Sequence, residues 1–235
     1  MTAQNPPTFG QPADAALRPS PELSAQVLTQ AFVWMFAGIL LSAGVAFFVQ
    51  SNEQLIRFAG RNFMLLFFVQ IGLALGIQFL IRRLNAVVAL ALFFVYAASL
   101  GLTIGLIVSF YTSTSVATAF LSAASIFGAA ALYGYTTKRP LTQVRGFIGI
   151  AMIGWLVAVG VNLFIGGGTF GIILSMVTVV LFTVLTALTV KDISNGGYIA
   201  LAGSPERAAV LGAVHLYIGF INIFLSLLNL MGDRD

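Results

Sequence analysis

The sequence predicts an all-α integral membrane protein with seven spanning helices, and three observations carry that expectation. Of 235 residues, 59% are hydrophobic and 8% charged, where a soluble domain carries about 25% charged residues. The mean hydropathy is +1.01. The charged residues sit in short stretches between long uncharged blocks, and a block of roughly 20 apolar residues is what a helix needs to cross a bilayer. The content of 21 Phe and 24 Gly suits helices packed closely in lipid. The net charge of +4 is dispersed between the apolar blocks and forms no patch, so nucleic acid is not an expected partner. Cys is absent, which removes disulfides and thiolate metal sites.

Residues 1–22 hold five of the seven prolines and read as a flexible Pro-rich tail, leaving 23–235 as one transmembrane domain. The first span is expected near Leu28–Val49, and a polar loop with Glu53, Arg57 and Arg61 follows it. The second runs from about Asn62 to Ile81 and stops at Arg82-Arg83. The uncharged block from Leu84 to Thr137 is too long for one helix. It divides at the hydroxyl-rich Ser109–Ser115, giving spans near Ala86–Val108 and Val116–Tyr133. After a basic loop (Lys138, Arg139, Arg145), the next block divides at Gly166–Gly168 into Phe147–Ile165 and Phe170–Thr189. A loop over Lys191–Arg207 leads to the seventh span, Ala208–Met231. Small residues at packing spacing mark expected close helix contacts: Gly72 with Gly76, Gly101 with Gly105, and Gly128 beside Ala129–Ala131.

The seventh span has a pattern of its own. Gly212, His215, Gly219, Asn222, Ser226 and Asn229 follow at three- and four-residue steps, which places them on one helical face. Polar groups in hydrocarbon need partners, so this helix is expected inside a bundle. His215 is either a neutral imidazole satisfied by a neighbour or a proton-responsive group. Asn222 and Asn229 read as interhelical hydrogen-bond partners. With one His, no Cys and no clustered carboxylates, neither an enzyme nor a resident metal or cofactor is expected.

Two stretches, Phe127-Gly-Ala-Ala-Ala-Leu-Tyr-Gly-Tyr-Thr-Thr-Lys-Arg139 and Leu216-Tyr-Ile-Gly-Phe-Ile-Asn-Ile-Phe224, closely resemble the Bax-inhibitor family in its bacterial inner-membrane branch. Ala25-Gln-Val with Trp34, and the Arg82-Arg83 end of the second span, resemble it too. The resemblance covers about residues 24–232. It implies six helices in two layers around a central seventh, and a pH-sensitive calcium leak gated by two aspartates that share a proton. Residue by residue, the gate positions fall on Thr189 and Gly219, so both carboxylates are absent. Asp192, three residues beyond Thr189, reads either as a substitute on the same helical face or as a solvated loop carboxylate. His215, four residues before Gly219, could pair with it. Arg82 matches a basic residue that partners the gate. The rival implication is a non-conducting regulator that binds a membrane-bound ATP-dependent quality-control protease, with the tail as contact.

Seven spans put the termini on opposite sides. Arg18, Arg82, Arg83, Lys138, Arg139, Arg145, Lys191 and Arg207 fall on the N-terminal side; Arg57, Arg61 and Arg234 fall on the other. By the positive-inside rule the N-terminus is cytoplasmic and Asp235 external. Reporter fusions at the two ends should therefore give opposite signals, and like signals would overturn the seven-span reading.

Overall fold

The computed structural model describes residues 19–139, 142–165 and 168–233. Among these residues the chain forms helices α1 (Pro21–Gln50), α2 (Glu53–Arg61), α3 (Phe63–Leu80), α4 (Ala86–Val108), α5 (Ser113–Thr136), α6 (Thr142–Ile165), α7 (Gly168–Ser194), α8 (Gly197–Ala202) and α9 (Pro205–Met231). Seven of them, all but α2 and α8, are long and apolar enough to cross a membrane. Both divisions of the long uncharged blocks fall where the hydroxyl and glycine clusters lie.

Short polar residues start the helices. Ser20 accepts from the Leu23 amide at 3.2 Å, Asn85 from Val88 at 2.7 Å, Thr112 from Ser115 at 3.2 Å and Ser204 from Arg207 at 3.4 Å. Each satisfies one of the amides left free in a first helical turn. Pro21 and Pro205 sit just inside α1 and α9, where a missing N–H costs nothing. The tail expected to reach residue 22 therefore gives way to helix at Pro21. The rest of it, residues 1–18, lies outside the described residues.

Helix α9 is the centre of the bundle. In its most apolar window 78% of residues are buried, against 6% in α6. It packs on α1, α7, α5, α8, α4 and α3, and Leu211, Leu216, Tyr217, Ile223 and Leu228 are fully enclosed. Tyr217 places its hydroxyl 2.6 Å from Ser42 Oγ, which itself donates to the carbonyls of Gly38 and Ala97. One buried hydroxyl pair thereby ties α1, α4 and α9 together. Helix α6 packs on α7 and has little else against it.

The glycine expectations divide. A Cβ on Gly101 would lie 2.7 Å from Val45 Cβ and 2.9 Å from the Ser42 carbonyl, and one on Gly105 would lie 2.7 Å from Val49 Cβ. The α1–α4 contact needs both. Gly72, Gly76 and Gly128, by contrast, face open space within 4 Å, because α3 turns that side away from its neighbours and Gly128 lies on the outer side of α5. The closest crossing is one the spacing did not single out: Gly134 of α5 lies against the Ala187 backbone of α7. Gly196, with φ +76°, turns the chain into α8 where Pro19 packs over it.

Gly101→Leu should destabilise the protein by about 1–3 kcal/mol through overpacking, read as a lower unfolding midpoint in detergent. Gly72→Ala should stay within about 0.5 kcal/mol of the wild type. Equal effects would contradict this packing.

Candidate functional site

The six polar and small positions of α9 separate into two edges of one face. Gly212, Gly219 and Ser226 are buried, while His215, Asn222 and Asn229 remain partly open. The first edge is packing. A Cβ on Gly212 would meet Ile193 at 2.8 Å, and one on Gly219 would meet Thr186 Oγ1 at 2.9 Å. Of the second edge, His215 and Asn222 line cavities in a cleft flanked by α3, α6 and α7; Asn229 has the interhelical partner expected of it, whereas Asn222 donates to the Ile218 carbonyl of its own helix.

His215 sits in that cleft with both ring nitrogens engaged. Nδ1 lies 2.7 Å from Tyr198 Oη and Nε2 lies 3.2 Å from Gln78 Oε1. Burial, the largest influence, pushes the Tyr198 hydroxyl well above the usual phenol range, against a hydrogen bond from Thr189. Tyr198 is thus a neutral hydroxyl that can donate to Nδ1 or accept from it, and Nε2 can donate to Gln78 Oε1. Both ring nitrogens of the imidazole therefore have a partner within hydrogen-bond distance.

Thr189, Asp192, Tyr198, His215 and Gln78 line one cavity of about 360 Å³. Asp192 is not a loop residue: α7 continues through it to Ser194. Its side chain is 21% exposed and forms an ion pair with Arg145 of α6, which is 61% exposed. Next to it on α7, Lys191 donates to the Thr137 carbonyl at the end of α5. Gly219 lies one turn deeper, against Thr186, so the two gate-equivalent positions do not form a facing pair. Thr189 meets Tyr198 instead.

Arg82 has a different task from the one the resemblance implied. Its Nε donates to the Leu201 carbonyl at 2.7 Å and Nη2 to Ala200 at 2.9 Å, closing the end of α8. Arg207 in turn donates to the Arg82 carbonyl at 3.0 Å. The arginine beside the cavity carboxylate is Arg145. On the other half of the bundle Asn229 Nδ2 donates to Ser175 Oγ at 2.9 Å, and Trp155 Nε1 donates to Thr178 Oγ1 at 2.7 Å. Sequence reasoning missed Arg145, Gln78 and Tyr198. Gln78 carried a readable signal, since an amide inside an apolar span needs a partner just as Asn222 does.

A central helix with a polar face, wrapped by apolar helices and opening on an intramembrane cavity with an ion pair in its wall, defines a polytopic membrane protein with a site inside the bundle. The chain belongs to the Bax-inhibitor family: the profile described as inhibitor of apoptosis-promoting Bax1 matches residues 24–235. It is 33% identical to the inner membrane protein YbhL of Escherichia coli over 228 residues, covering 94% of this chain and 97% of that protein. An uncharacterized protein of Deinococcus radiodurans is 37% identical over 209 residues, covering 88% and 90%. The uncharacterized protein RP147 of Rickettsia prowazekii is 35% identical over 173 residues, 72% of each chain.

A double-mutant cycle of Tyr198→Phe with His215→Leu tests the buried contact. Thermal unfolding in detergent should give a coupling of about 0.6–1.7 kcal/mol, the range of hydrogen bonds between membrane helices. Coupling indistinguishable from zero would remove that contact from the site.

Proposed function

We propose that this protein is a cation leak of the bacterial cytoplasmic membrane, with calcium as its main ion and a rebuilt gate. The observation that carries the reading is the Arg145–Asp192 ion pair in the wall of the intramembrane cavity. Calcium takes oxygen ligands, carboxylates foremost. Asp192 is the one carboxylate lining this cavity among the described residues, and Thr189 and Tyr198 bring hydroxyl oxygens beside it. With the N-terminus cytoplasmic, the ends of α7 and α6 that carry the pair face the cytoplasm. Arg145 occupies the carboxylate at rest, and a cation that enters must displace it. The aspartate dyad that the family resemblance implies is replaced in this reading by one carboxylate and one arginine.

The charged and titratable groups around Asp192 are Arg145 of α6, Tyr198 of α8 and His215 of α9, with Lys191 next to it on α7. Both nitrogens of His215 already have partners, so this reading assigns the pH response to Asp192. Losing its charge removes the cation's ligand.

Calcium flux into dye-loaded liposomes should exceed that of empty vesicles. It should fall on acidification from about pH 8 to about pH 5, the range in which perturbed carboxylates and imidazoles titrate. Asp192→Asn should give low flux with no pH dependence, and His215→Asn should keep the wild-type pH profile. A profile that survives Asp192→Asn but disappears in His215→Asn would transfer the sensor to the imidazole. Flux equal to empty vesicles at every pH would favour the partner-binding reading instead.

A further inference from the structure

A second cavity of about 300 Å³ shares Gln78, Met152, Phe182 and Ile218 with the first and extends along α9 towards Asn222. Leu75 and Ile71 of α3 and Leu156 of α6 form its apolar rim, and all three side chains are exposed at the bundle surface. On a membrane helix that surface is lipid. The cavity is therefore a side opening between α3 and α6.

Besides Gln78, shared with the first cavity, and Trp155, whose N–H is taken by Thr178, its floor carries three polar groups from three helices. Gln70 is 7% exposed, and its Nε2 donates to the Ser99 carbonyl at 3.0 Å and to Thr103 Oγ1 at 2.8 Å. A carbonyl accepts only from the amide nitrogen, so the side chain cannot be flipped and Oε1 is the free end. Asn222 is fixed in the same way: Nδ2 donates to the Ile218 carbonyl at 2.8 Å, leaving Oδ1 free. Tyr96, 6% exposed, stacks edge-on against Tyr217, and no hydrogen bond to its hydroxyl is made among the described residues. Two acceptors and one hydroxyl, each near the middle of its helix, thus line one cavity without protein partners.

We propose that this cavity binds an uncharged hydroxyl-headed lipid, of the monoacylglycerol or diacylglycerol class. The hydroxyl would donate to Gln70 Oε1 or Asn222 Oδ1 and accept from Tyr96, with its acyl chain between α3 and α6. A mostly apolar pocket with a few convergent polar groups is the general form of a small-molecule site. The floor contains no carboxylate, so a cation there would be an uncompensated charge at bilayer depth. A zwitterionic or anionic headgroup would meet the same penalty. A neutral head satisfies the floor, and its chain has a direct path from the bilayer. This inference does not depend on the proposed leak.

The test uses full-length protein in phosphatidylcholine nanodiscs with a diazirine-bearing monoacylglycerol. Crosslinks should map to α3 and α6, be competed by unlabelled monoacylglycerol, and far exceed those of the same chain on a phosphocholine head. Asn222→Leu and Tyr96→Phe should each lower labelling roughly two- to tenfold, the value of one hydrogen bond, while Gly72→Ala should not. Tyr96→Phe removes a single oxygen and carries the test if Asn222→Leu does not yield monodisperse protein. Equal labelling by the phosphocholine probe, or labelling unchanged in Tyr96→Phe, would mean that acyl chains merely fill a groove and would overturn the proposal. Asn222→Leu or Tyr96→Phe altering cation flux while leaving labelling intact would also overturn it and assign the floor to water or ions.

Discussion

In a bilayer no water is available along most of a helix, so a polar side chain there must be answered by protein or by a group that enters the bundle. Helix α9 brings more such groups into the membrane than any neighbour could satisfy alone. Its surroundings follow from that. Tyr217 is answered by Ser42, His215 by Tyr198 and Gln78, and Asn229 by Ser175. These partners come from α1, α8, α3 and α7, so the demand for hydrogen bonds gathers four elements around one helix. Close backbone crossings at Gly101, Gly105 and Gly134 let them approach.

The same constraint explains where the site can be. Residues that found a partner within the core, such as Tyr217, are fully enclosed and structural. Asn222 and Gln70, towards α3 and α6, use only their amide nitrogens, and the cavities lie along that edge. The bundle is well packed on the side of α1, α4, α5 and α7 and loosely packed where α6 stands. Chemistry inside the membrane is concentrated at that boundary.

Much of this was legible in the residues. Uncharged length gave the seven spans, and the three- and four-residue rhythm of α9 gave its central position. The site was less legible, for identifiable reasons. Arg145 and Asp192 looked like interfacial charges because hydropathy ends a span at the first ionic residue, whereas α7 continues through Asp192 to Ser194. Tyr198 was hidden in a stretch read as loop, which folds into the short helix α8. The match of Arg82 to a gate partner rested on sequence position, while its guanidinium is turned to the carbonyls of α8. Gly72 and Gly76 have the spacing of a packing face, but spacing does not say which face has a neighbour.

The crossing at Gly134 also determines which half of the ion pair can travel. Helix α7 is pinned to α5 within a turn or two of Asp192, backbone against backbone, and Ile193 beside it is fully buried. A Cβ on any glycine of α6 (Gly146, Gly149, Gly154 or Gly160) would meet no neighbour within 4 Å, and the tie of this helix to α7 runs through side chains such as Trp155 and Thr178. The carboxylate is thus mounted on a stator and the guanidinium on a rotor. A displacement of α6 would carry positive charge away from a negative one held by its neighbours.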